Sequence, residues 1–149
     1  MSVAFRRESD EEHLEPKFEL PIPAGPNLVT PRGLALIGER LADLEARLAG
    51  ASDEERAAVA RDLRYWRIRS VTATLAPAPP ADEVAFGSRV RVRIKGAERV
   101  IEIVGDDEAE PAAGRIAFSS PLARALTGAM EGERVIFGDG VEIIAIEPT

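Results

Sequence analysis

The chain has 149 residues, a formal net charge of −7 and no cysteine, with hydrophobic residues at 45% and aromatics at only 5%. That length suits one ordinary domain or two small ones, and the apolar share is enough for a core built from Val, Ile, Leu and Ala. The missing cysteine rules out a disulfide framework, a zinc–thiolate site and a cysteine nucleophile, and the acidic balance argues against wrapping a nucleic-acid backbone.

His13 is the single histidine, so a Ser-His-Asp triad would have to use a residue in a polar N-terminal stretch. No apolar run approaches the roughly 20 residues of a membrane span, and Arg6 and Arg7 are followed by no apolar core of a secretory signal. The expected compartment is the cytoplasm. Charge is uneven: residues 1–29 carry −3, residues 30–75 carry +1 and residues 76–149 carry −5. A partner with a basic surface suits the acidic C-terminal half.

Residues 1–29 read as a flexible tail, since Pro16, Pro21, Pro23 and Pro26 deny a helix. Phe18, Leu20 and Ile22 alternate, as a short strand or docking peptide would. Residues 30–75 read as an antiparallel coiled-coil hairpin. Thr30 is a good N-cap with Pro31 at the first helical position. Leu34, Ile37, Leu41, Leu44 and Leu48 come at spacings of 3, 4, 3 and 4, a heptad seam. Gly50 closes that helix, and Ser52 with Glu55 opens the next as a capping box. Val59, Leu63 and Trp66 carry the seam onward. One apolar seam per helix buries one face, so the hairpin should lean on the C-terminal domain.

Pro77, Pro79 and Pro80 mark a stiff linker over 76–81. Residues 82–149 read as a compact β-rich domain. Arg89 to Ile94 alternates strictly, so one face is core and the other is wet. Strands are expected over Arg99–Val104, Arg115–Phe118, Arg134–Phe137 and Val141–Ile146. Asp106 to Glu110 forms an acidic loop, and Ser120 caps a short helix that begins at Pro121 and stops at Gly128. The fold class is therefore α+β.

In this order, these segments resemble the Gre family of transcript-cleavage and elongation factors (GreA/GreB). Ile103-Val104-Gly105-Asp106-Asp107-Glu108-Ala109-Glu110 is close to the family's Ile-Val-Gly-Asp-Asp-Glu-Ala-Asp. Phe118 to Gly128 tracks its Ser-Pro-Ile-Ala-Arg-Ala-Leu-Ile-Gly segment, Phe86 to Val90 its opening strand, and Leu28 to Leu34 the start of its coiled coil. The resemblance implies an FKBP-like antiparallel β domain with one short helix, docked on bacterial RNA polymerase near its secondary channel. It implies polymerase contacts at Ser119, Ser120 and Pro121, with Arg124 of the short helix expected beside them; Asp106 and Asp107 of the acidic loop read either as a solvated turn or as a face toward basic residues of the polymerase. The Ser-Pro turn presents a rigid proline and helix N–H groups, whereas physics alone reads it as a plain helix cap.

The family's hairpin tip carries Gly-Asp-Leu-x-Glu-Asn-Ala-Glu-Tyr, whose carboxylates hold a Mg²⁺ ion at the polymerase active centre. Here Arg61-Asp62-Leu63 is the nearest echo, with Arg64-Tyr65-Trp66-Arg67 after it in place of the acid and amide. Each arm falls short of the family's by roughly ten residues, about 15 Å at helical rise. The new tip has Asp53, Glu54 and Glu55; adjacent acids fan out around a helix and suit dipole compensation better than convergence on one ion. No metal, no small-molecule cofactor and no catalytic residue of the chain's own is expected. Arg61 and Arg64 share a stripe beside Trp66, which reads as a secondary partner contact or as a solvated face with Trp66 filling the junction between hairpin and domain.

The function implied is a non-enzymatic regulator of transcription elongation, expected as a monomer, binding no membrane and no specific DNA sequence, and competing with or modulating Gre factors. Two relatives of that reading stay open: a cleavage-stimulating factor using Asp53, Glu54 and Glu55, and a protein like the nucleoside diphosphate kinase regulators of the same superfamily. A prolyl isomerase is not expected, because fold does not carry activity and the domain offers only Phe86, Phe118 and Phe137 for a pocket.

Overall fold

The structure, a computed structural model, describes residues 19–148. His13 and Phe18 lie outside them. Two helices form an antiparallel pair: α1 (Pro31–Ala49) and α2 (Asp53–Thr72). The Thr30 hydroxyl accepts the Gly33 N–H at 3.0 Å, and Pro31 takes a position with no N–H to satisfy. Ser52 and Glu55 make the reciprocal capping box that opens α2. Between the helices Ile37, Leu44, Val59 and Leu63 are buried, with Leu41, Leu48 and Trp66 packed against the seam.

Residues 1–29 are not a tail throughout. Leu28–Val29 is strand β1, paired in parallel with β2 (Thr74–Leu75), which comes one residue after α2. The expected helical span 30–75 therefore ends at Thr72. The two strands clamp the open end of the hairpin, and the Ala76 N–H continues the ladder to the Val29 carbonyl at 3.0 Å. Leu20 and Ile22 lie in no strand.

The C-terminal part is a sheet of five strands: β3 (Arg89–Ile94), β4 (Ala97–Val104), β5 (Arg115–Ala117), β6 (Arg134–Val135) and β7 (Val141–Glu147). Their spatial order is β5-β4-β3-β7-β6. All pairings are antiparallel except β4 with β5, which is parallel and reached through a single 3₁₀ turn at Pro111–Ala113. β6 stops two residues short of expectation, leaving Ile136 and Phe137 exposed at the turn.

Alternation in β3 sorts its faces as expected. Val90 and Val92 are fully buried, and Arg89 and Arg93 face outward opposite glutamates: Arg89 against Glu102 and Glu147, Arg93 against Glu98 and Glu142. All four pairs are ion pairs of 2.9–3.4 Å. At such exposed sites they fix register more than they add stability. Arg89, with Arg91 beside it, holds the Glu147 carboxyl below the usual carboxylate range. A register shift between Arg91 and Val92 leaves one extra residue in β7, a bulge that curls the sheet.

The short helix α3 (Pro121–Leu126) lays Ala123 and Leu126 onto the same core as Val84, Val90, Val92, Ile101, Ile103, Val141 and Ile143. Phe86 and Phe118 meet edge-to-face at 5.4 Å at its margin.

Candidate functional site

The Ser-Pro turn sits between β5 and α3. The Ser120 hydroxyl accepts the Ala123 N–H at 3.3 Å, so the cap predicted for this residue forms. Pro121 and Arg124 are exposed on the outer face of α3, while Ala123 and Leu126 anchor the inner face. Ser119 is exposed, and its hydroxyl donates to Asp106 Oδ1 at 2.7 Å. The turn and the start of the acidic loop are thus one unit, joining Ser119, Ser120, Pro121, Arg124 and Asp106.

Asp107 departs from the expected partner-facing position. Its side chain is 8% exposed and turns inward, where its Oδ2 accepts Arg69 Nε at 2.6 Å and its Oδ1 accepts the Tyr65 hydroxyl at 2.5 Å. Arg69 is itself 2% exposed and donates from its terminal nitrogen to Asn27 Oδ1 at 2.8 Å. Asn27 in turn donates to the Arg69 carbonyl and the Thr72 hydroxyl. A buried guanidinium is tolerated only with a charge partner and hydrogen bonds of this kind. Burial first, and the Asp107 carboxylate second, push the Tyr65 phenol up from its ordinary value.

Glu108 completes the set. It is buried, accepts the Thr30 hydroxyl at 2.5 Å and pairs with Arg32 at 3.1 Å. A Cβ on Gly33 would stand 2.8 Å from Glu108 Oε1, so a side chain there would push the Glu108 carboxylate from its place. Gly105 is under a stricter demand: any side chain there would run into the backbone carbonyl of Leu28 in β1. Three consecutive acids therefore hold three elements, Asp106 the Ser-Pro turn, Asp107 α2 and Glu108 the start of α1.

At the far end of the hairpin, Asp53, Glu54 and Glu55 occupy the exposed first turn of α2. The Glu55 carboxylate accepts the Ser52 N–H at 3.3 Å. Among the described residues no three His, Cys, Asp or Glu side chains converge as a metal site.

Trp66 does not fill the junction with the C-terminal part. It packs on the hairpin seam beside Leu44, Val59 and Leu63, with the Arg40 guanidinium 5.7 Å above its ring and Tyr65 edge-on at 5.2 Å. Tyr65 and Arg69 occupy the junction instead. On the outer face, Arg61 pairs with Asp62 at 3.2 Å, and Arg64 makes a two-pronged pair with Glu19 at 2.8 and 2.7 Å. That pair holds the Glu19 carboxyl below the usual range and the Arg64 guanidinium above its own.

Sequence reasoning misses Asn27, Arg69, Tyr65 and Glu108 as joint residues. A signal is present: the seam Val59, Leu63, Trp66 continues at the 3-4 spacing onto Arg69. An arginine on a buried seam requires an acid from elsewhere in the chain.

Residues 79–148 match the family model described as "Transcription elongation factor, GreA/GreB, C-term". The chain is 40% identical over 77 residues to the transcription elongation factor GreA of Vibrio parahaemolyticus, an alignment covering 50% of this chain and 49% of that protein. It is 32% identical over 117 residues to GreA of Pseudomonas aeruginosa, covering 75% of this chain and 62% of that protein. The chain thus spans about half to three-fifths of the length of these relatives. Among solved structures, GreA factor homolog 1 of Thermus thermophilus is similar over 83% of this chain and 99% of its own, at 17% identity and a TM-score of 0.40. The family match lies on the sheet, the acidic loop and the Ser-Pro turn, and through them residues 79–148 belong to the GreA/GreB C-terminal domain family.

Proposed function

We propose that this protein docks on bacterial RNA polymerase at the secondary channel through the Ser119–Ser120–Pro121 turn and Arg124, and that it regulates elongation without stimulating transcript cleavage. The observation that carries this reading is the pairing of an exposed Ser-Pro edge with a short hairpin. Helices of 19 and 20 residues reach about 30 Å. At their tip Glu55 closes the capping box of α2, with Asp53 and Glu54 beside it in the same first turn.

In this reading Pro121 and Arg124 supply the contact edge. Asp106 keeps Ser119 in place, and the neighbouring Asp107 and Glu108 fix the base of the hairpin against the same loop. Docking at the turn therefore sets the direction of the hairpin, which occupies the channel mouth. A Gre factor with a full-length arm competes for the same place. Co-purification with RNA polymerase tests the docking: the intact chain is retained, and an R124E/P121A variant is lost from the complex while keeping its fold. Equal retention of both would remove the Ser-Pro edge from the account.

A further inference from the structure

We infer that the cleft between the first turn of α1, the proline linker and β4 binds a small aromatic carboxylate, with Arg32 holding its charge. The cleft encloses about 470 Å³, within the range of ligand pockets. Its walls are stiff and apolar: Pro31 from α1, Pro77 and Pro79 from the linker, Phe86 and Val104 from the sheet side. Proline fixes its own backbone angle. Pro79 also rests against the bare backbone of Gly87, 3.5 Å from where a Cβ would stand. Ile101 and Ile103 of β4 face the core shared with α3, so Glu102 and Val104 point to the opposite face of the sheet. The cleft is therefore separate from the Ser-Pro edge, and the inference stands apart from docking there.

The charged side chains that line the cleft choose the sign of the ligand. Glu108 is engaged on both oxygens, by the Thr30 hydroxyl and by Arg32. Glu102 lies between Arg89 at 3.4 Å and Arg115 at 3.9 Å. Neither carboxylate is left over for a cationic ligand. Arg32 differs. A guanidinium carries five N–H donors. Among the described residues only its Nη1 is engaged, and the side chain is 58% exposed. An anionic group meets it from the open side, and the planar fork matches a carboxylate. A flat, rigid body suits walls that cannot close around it, and it loses little conformational freedom on binding. So seated, the ligand touches the hairpin, the linker and the sheet at once.

The probe is naphthoate, titrated into the full isotope-labelled chain and followed by the amide resonances. Saturable shifts are expected with a Kd below about 1 mM, confined to Arg32, Ala78, Gly87, Val104, Glu108 and their neighbours. Naphthylmethanol keeps the rings and loses the charge, and it is expected to bind about tenfold more weakly. R32Q is expected to weaken naphthoate by about the same factor. A78F, at an exposed linker position, narrows the cleft and weakens both probes. No saturation by about 5 mM, or shifts spread over the whole molecule, overturns the inference. So does equal binding of the acid and the alcohol, or of the acid to R32Q and the intact chain.

Discussion

Asp107 and Arg69, 38 positions apart, form the charge pair at the centre of the joint between the hairpin and the sheet, with Nε and Oδ2 2.6 Å apart and both side chains at least nine-tenths buried. Removing one partner leaves the other charge desolvated and unpaired, which costs about 3–5 kcal/mol. D107A is therefore expected to lose that much stability in urea unfolding. A joint D107A/R69M change restores a large part of it, because no lone charge remains. Full additivity of the two single changes would show that the pair is not coupled.

Tyr65 is the single tyrosine, so its ionisation is read directly from ultraviolet absorbance. Burial and the Asp107 carboxylate raise its folded pKa above the ordinary value of about 10. A raised pKa means that this contribution to stability is complete below pH 10 and fades as pH climbs above it. The phenol is expected to titrate at a higher pH in the folded chain than in urea, where it returns to its ordinary value of about 10. In D107N the folded value moves back toward 10.

Leu63 is 1% exposed in the hairpin seam, and Trp66 packs beside it as the single tryptophan. L63A removes buried methyl groups and leaves a cavity, an expected loss of about 2–5 kcal/mol. Trp66 emission shifts to longer wavelength in step with unfolding. An unchanged midpoint would show that the seam does not close around Leu63.

Pro121 and Arg124 lie outside the core, on the exposed face of α3. R124E is expected to change stability by no more than about 0.5 kcal/mol. Its binding to RNA polymerase is expected to weaken about tenfold, or about 1.4 kcal/mol. A stability loss as large as the binding loss would assign Arg124 to the fold and not to docking.

Much of the architecture is legible in the residues. Thr30-Pro31 and Ser52 to Glu55 are local signals whose chemistry acts within one turn, and both caps form where read. The alternation of Arg89 to Ile94 needs only the pleat to sort its faces. The hidden features depend on contacts across long stretches of chain. Leu28–Val29 pairs with a strand 46 positions away, and nothing within a tail rich in proline announces it. Asp107 reads as one more acid in a solvated loop until Arg69 is seen to be buried against it. A large aromatic near a domain boundary suggests the boundary, yet the Val59–Leu63 spacing puts Trp66 on the seam.

The most direct test adds the purified protein to backtracked elongation complexes, with and without a cleavage-competent Gre factor. The account predicts no RNA release by this protein alone and suppression of release by the other factor, with suppression lost in the R124E/P121A variant. Release of short RNA by this protein alone, abolished when Asp53, Glu54 and Glu55 are changed to alanine, would contradict it and make the short hairpin a working cleavage arm.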